Sequence, residues 1–263
     1  FSKYLMKNRL IQLFGEEWYS KLEPFLTSND FYKINTFIAN ERKSGKIIYP
    51  EQGSEDNFRC YRITQPKDIK VVIIANHYTY NGEYDGLCLS GSKLIEESPI
   101  LKIIFKEINT EYPENDTNLL SGLDLMDLSR WSKQGVFLLN KELTYVKNRP
   151  LDHLPLWNKF IIKTIEEINN YPHICWVMIG EDNWTFEQHI NLMHRKIKVK
   201  NPINNPDALF WMFKNINEFL EHLNQGEVVK GGSEVHLMMH AVSQEALKFS
   251  KLKRCCYKET LNL

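Results

Sequence analysis

Three continuous apolar runs of strand length stand out along the chain. They are Val71-Val72-Ile73-Ile74, Gly135-Val136-Phe137-Leu138-Leu139-Asn140 and Ile174-Cys175-Trp176-Val177-Met178-Ile179. Uninterrupted apolar character over so few residues is the pattern of strands covered on both faces, as in parallel sheets. A shorter alternating run, Lys196-Ile197-Lys198-Val199, stops at Asn201-Pro202 and reads as a fourth strand. Its lysines would form either a basic stripe or a solvated strand face. Between the strands the apolar spacing turns helical. Trp18, Leu22 and Phe25 share one face in the N-terminal region, and Leu101, Ile104, Phe105 and Ile108 share one after Ser98-Pro99. A helix is expected from about Trp157 to Asn169, and another from about Leu209 to Leu223 through Phe213, Ile216 and Leu220.

Alternating strands and helices predict one α/β domain over residues 1–221, a three-layer α/β/α arrangement around a central, largely parallel four-stranded sheet. Residues 222–263 then form a C-terminal extension, read as a helix that either binds a partner or covers the core. Ligands of such sheets sit beyond the carboxyl ends of the strands. Four loops converge there: residues 75–85, from 140 onward, 180–184 and 201–207.

Composition narrows the function classes. Lys and Arg number 33 against 33 Asp and Glu, which argues against strong overall attraction to nucleic acid or anionic membrane. No apolar run approaches the ~18 residues of a membrane span. Five scattered cysteines (Cys60, Cys88, Cys175, Cys255, Cys256) form no C-x-x-C or metal-spaced cluster. No metal and no cofactor are expected, and the compartment is expected to be reducing and intracellular, whether nucleus, mitochondrion or viral replication site.

The strand-end loops, in this order, resemble the family 1 uracil-DNA glycosylases from about residue 15 to residue 220. The closest stretch is Trp131-Ser132-Lys133-Gln134-Gly135-Val136-Phe137-Leu138-Leu139-Asn140, beside the family's W-A-x-Q-G-V-L-L-L-N. Gly15-Glu16-Glu17-Trp18, Ile48-Tyr49-Pro50, Gly86-Leu87-Cys88, the stretch from Pro99, His153 and Trp157 add to it. The resemblance implies an enzyme that flips a uracil nucleotide out of the stack and hydrolyses its glycosidic bond. It puts Asn140 at the position that reads the uracil edge.

Other positions depart from the family's pattern. In the water-activating loop, G-Q-D-P-Y-H in the family, alignment from the strand puts His77 on the aspartate. Counting back from Gly86-Leu87-Cys88 puts Asn76 there and Tyr78 on the tyrosine that blocks the thymine methyl. Both registers lack the carboxylate. Asn201 takes the place of the histidine that stabilises the leaving uracil anion, where one donor is worth ~2.7–4 kcal/mol. Leu89 replaces an aromatic ring that stacks on the base, a contact worth ~1–3 kcal/mol. Asn205 replaces the apolar wedge, in the same loop as Pro202. At the positions that meet the DNA backbone, Pro99 is followed by Ile100 where a serine is expected. Gly180 is followed by Glu181 and Asp182, whose charge opposes a phosphate. These departures lead to an expected pseudoenzyme: a degenerate glycosylase serving as a binding or scaffold component of a larger protein assembly, with weakened DNA affinity. The alternative is a divergent active glycosylase that positions water with Asn76 and reads uracil with Asn140.

Overall fold

The structure is a computed structural model that describes residues 2–54, 56–76, 85–91, 98–113, 126–149 and 151–227. Six strands form among them. β1 (Ile48–Tyr49) and β4 (Tyr145–Val146) make a small antiparallel pair. The others are β2 (Val71–Ala75), β3 (Val136–Asn140), β5 (Cys175–Ile179) and β6 (Arg195–Val199), which build a four-stranded sheet in the order β3-β2-β5-β6. Every pairing in that sheet is parallel. The expected four-stranded α/β architecture is therefore the observed one.

Burial along the strands follows their place in the sheet. All five residues of β2, β3 and β5 are buried. The edge strand β6 is buried only at Val199, which is why it tolerates Arg195, Lys196 and Lys198. The lysines do not form a bare stripe. Lys198 pairs with Glu187 at 2.9 Å and lies over the Trp184 ring.

Among the described residues, eight α-helices flank the sheet: α1 (Ser2–Phe14), α2 (Glu16–Leu26), α3 (Asn29–Lys43), α4 (Arg59–Ile63), α5 (Pro99–Glu111), α6 (Ser129–Ser132), α7 (Leu154–Ile168) and α8 (Met212–Glu227). Trp18 of α2 stacks on Phe137 of β3, and Tyr61 of α4 packs edge-on against the same ring. The Tyr61 hydroxyl is 2.9 Å from Thr164 Oγ1 of α7, which ties two helices of this layer through a satisfied buried polar pair. Helix α7 starts three residues before the expected Trp157. Pro155 sits in its first turn, where the missing N–H has no helical acceptor to lose. Helix α8 starts later than the expected Leu209, after a 3-10 turn at Pro206–Leu209 and a left-handed Trp211. Its first turn is capped from α5, because Glu111 accepts from the Phe213 and Lys214 amides. The helix continues past residue 221 to Glu227; residues 228–263, the rest of the expected extension, lie outside the described part. No described helix is long and apolar enough to cross a membrane.

Candidate functional site

Strand register brings the candidate loops together. Ala75 of β2 is the register partner of Asn140 of β3, so Asn76 leaves the sheet beside the base-reading candidate. The Cys88 amide donates to the Leu138 carbonyl at 3.1 Å, which ties Gly86-Leu87-Cys88 to β3. The Gly180 amide donates to the Val199 carbonyl at 2.8 Å, which joins the ends of β5 and β6. A glycine is required at position 86. Its φ is 89°, and a Cβ there would fall 1.9 Å from the Asp56 carbonyl oxygen.

Asn140 is 1% exposed, and neither its Nδ2 nor its Oδ1 has a partner among the described residues. A buried unpaired amide costs about 1–3 kcal/mol for each group left unsatisfied. Such a buried unpaired group at a strand end calls for a partner from outside the described residues.

Asn76 is half-buried, and its Oδ1 accepts from Asn183 Nδ2 at 3.0 Å. The same Nδ2 donates to the Ile179 carbonyl at 2.6 Å. Because a carbonyl can only accept, that bond fixes the Asn183 amide and with it the orientation of Asn76. Asn76 is left with Nδ2 as its unengaged donor. Asn183 was not singled out in the sequence, because nothing in its spacing marks a contact to a loop 107 residues away. His77 and Tyr78 lie outside the described residues.

A carboxylate does stand at the exit of this loop, but it is fully engaged. Asp85 is 0% exposed and accepts from the Leu87 amide at 3.1 Å and the Ser90 hydroxyl at 2.6 Å. Arg59 Nη1 lies 3.3 Å from its Oδ2. This hub holds the segment that leads to Leu89, itself buried with φ 65°. A left-handed leucine costs about 1–2 kcal/mol, which the surrounding packing must offset.

The acidic residues after Gly180 are exposed, and each also has a partner at the strand ends. Glu181 Oε2 accepts from the Asn201 amide at 3.0 Å. Asp182 lies 3.4 Å from the ammonium of Lys141, a side chain only 2% exposed. Burial pushes the Lys141 pKa down, and the Asp182 carboxylate opposes that shift. The neighbouring Glu142 is fully buried and accepts from the Leu151 and His153 amides at 2.7 Å each. Burial raises its pKa to about 7.

In the last loop, Asn201 Oδ1 accepts from the Ile203 amide at 3.0 Å, which leaves Nδ2 as its donor. Pro202 is buried. Asn205 Nδ2 donates back to the Asn201 carbonyl at 3.1 Å, so its amide closes its own turn. Pro99 is exposed at the start of α5, whereas Ile100 is 0% exposed and belongs to the core. The hydroxyl in this stretch is that of Ser98, which is buried and unpartnered among the described residues. A Ser-Pro pair at a helix start reads as a cap, yet Ser98 makes no side-chain cap bond. No group of three or more His, Cys, Asp or Glu among the described residues is placed to hold a metal ion.

Comparison with known proteins gives a consistent picture. The chain is 33% identical over 226 residues to a uracil-DNA glycosylase of Coxiella burnetii, covering 81% of this chain and 90% of that protein. It is 33% identical over 204 residues to the uracil-DNA glycosylase of Blochmanniella floridana, covering 74% and 89%. Among solved structures, a point variant of mimivirus UNG in complex with UGI superposes with a TM-score of 0.69 at 21% identity, over 82% of this chain and 88% of that one. No family model matches the chain.

Proposed function

The chain belongs to the uracil-DNA glycosylase family, and on that premise we propose that it reads uracil in DNA through Asn140 and excises it slowly, without a carboxylate at the water. The observation that carries this reading is the buried, unpartnered amide of Asn140. A flipped uracil presents an N–H donor and a carbonyl acceptor along its pairing edge. The Asn140 amide offers one acceptor and one donor to meet them. A protein that only served as a scaffold would gain nothing from leaving both groups unsatisfied in its interior.

The chemistry then depends on dipoles rather than charge. As the glycosidic bond breaks, negative charge grows on the uracil and positive charge on the sugar. In this reading Asn201 Nδ2 donates to the uracil oxygen that gains charge, in place of the imidazole of relatives. Asn76 orients the attacking water but contributes no anion to balance the sugar. Both substitutions weaken the transition state while leaving recognition intact, so the expected phenotype is slow excision with retained uracil preference. Glu181 and Asp182 are engaged by the Asn201 amide and Lys141, which lessens their repulsion of a phosphate.

A second reading, a uracil reader that does not excise and acts within a larger assembly, is favoured by one observation. The Asn76 oxygen, the atom that would accept a hydrogen bond from water, already accepts from Asn183. Prolonged incubation with single-stranded uracil-containing DNA, followed by cleavage of abasic sites, separates the two. Slow excision that is abolished in Asn140→Ala supports the first reading. Wild-type protein that binds uracil DNA selectively and forms no abasic sites supports the second.

A further inference from the structure

Away from the strand-end loops, α1, α3 and the segment after β1 enclose a cavity of about 510 Å3. That volume is within the roughly 300–1,000 Å3 of small-molecule sites. Arg42 and Lys43 line it together with Arg9, which has a partner of its own, and Glu51 is the single carboxylate among its described lining residues. We propose that this cavity is a binding site for a phosphate ester, most simply a mononucleotide.

Four features carry the proposal. The first is Arg42. Its guanidinium is half-buried and held in place by a 2.7 Å bond to the Pro50 carbonyl, and it has no carboxylate partner among the described residues. A guanidinium fixed by one bond presents its remaining N–H groups as a fork that matches phosphate. The second is the neighbouring acid. Glu41 precedes Arg42 in the chain, but its carboxylate is engaged by Lys46 and by His153. It therefore does not neutralise the cavity. Burial also pulls the Arg42 pKa down, as a cation awaiting a counter-ion would show.

The third feature is the division of the lining. Cations line one part, and Leu13, Ile38 and Phe58 add apolar surface, with the Asn57 amide beside them. A mononucleotide has the same division into a charged ester, a polar sugar and a flat apolar base. The fourth is location. The Asp56 carbonyl packs against Gly86, and Arg59 holds Asp85, so the wall of this cavity is continuous with the support of the strand-end site.

The site is tested by calorimetric titration with inorganic phosphate, thymidine 5′-monophosphate and a uracil-free, 5′-phosphorylated hexathymidylate. Thymine shares uracil's pairing edge, so the Asn140→Ala variant is the control that separates this cavity from the strand-end pocket. Binding to wild type that weakens at least tenfold in both Arg42→Gln and Lys43→Glu, and is unchanged in Asn140→Ala, is the expected result. Lys43 is exposed, so its replacement keeps the test decisive if Arg42→Gln fails to fold. Binding by the mononucleotide alone identifies a free nucleotide as the ligand, whereas stronger binding by the hexanucleotide that is lost in the Arg42 and Lys43 variants identifies a strand terminus. Absence of binding by all three probes, or binding unaltered in the Lys43 variant, overturns the proposal. Because uracil excision is not measured, failure here leaves the reading of Asn140 standing.

Discussion

At position 76 an amide and a carboxylate have similar reach and differ in charge. Asn183 Nδ2 donates to Asn76 Oδ1 at 3.0 Å and would donate equally to a carboxylate oxygen. An Asn76→Asp variant is therefore expected to keep the geometry and to add both a second acceptor for water and a negative charge near the sugar. General-base contributions of about 10²–10⁴-fold set the scale. A rise of at least about tenfold in single-turnover excision is expected, and an unchanged or lower rate would show that the loop does not position water through residue 76. The strand-end place of Asn140 was legible in the sequence because an apolar strand and a matching flank lead straight to it. Asn183, Asp85 and the Lys141–Asp182 pair were not. Their roles come from contacts between loops that lie far apart in the chain, and neither periodicity nor a short motif encodes those. The acidic loop shows the same limit: its contacts to the Asn201 amide and the Lys141 ammonium have no signal in the sequence.

Among the elements, the strands and most helices could be read from burial periodicity, and their boundaries less so. The α7 start was hidden because Pro155 looks like a break and is in fact accommodated in the first turn. The support of the site makes two predictions at this scale. Gly86→Ala places a Cβ 1.9 Å from the Asp56 carbonyl in a left-handed conformation, so it is expected to lower stability by more than the about 1–2 kcal/mol of the backbone term alone. Urea unfolding would measure the loss. Glu142 anchors the segment from Lys141 to His153, and its folded pKa of about 7 lies above the ordinary carboxylate range near ~4.3. Between those values the folded state holds more protons than the unfolded state, so Glu142 makes stability fall as pH rises from about 4 to 7. Glu111, raised to about 7 chiefly by burial at the start of α8, acts in the same direction. Across this window the melting temperature of wild type should fall more, or rise less, with pH than that of Glu142→Gln. An equal slope in the two proteins would remove Glu142 as a source of the pH dependence.

For the whole molecule, balanced charge means that recognition has to come from the pocket rather than from a general electrostatic pull. Each phosphate neutralised on duplex DNA contributes about 0.9 to the salt dependence of binding. A logarithmic slope below about 3 in magnitude is therefore expected on uracil-free duplex, measured by anisotropy across a salt series; a steeper slope would reveal a basic surface that this account lacks. The central claim concerns uracil itself, and equilibrium binding to single-stranded DNA carrying one 2′-fluoro-deoxyuridine, which resists excision, tests it most directly. Wild type is predicted to prefer that strand at least about tenfold over its 2′-fluoro-deoxycytidine counterpart, whose pairing edge exchanges donor and acceptor, and Asn140→Ala is predicted to lose the preference. Equal binding of the two strands by wild type, or a preference that survives in Asn140→Ala, would contradict it.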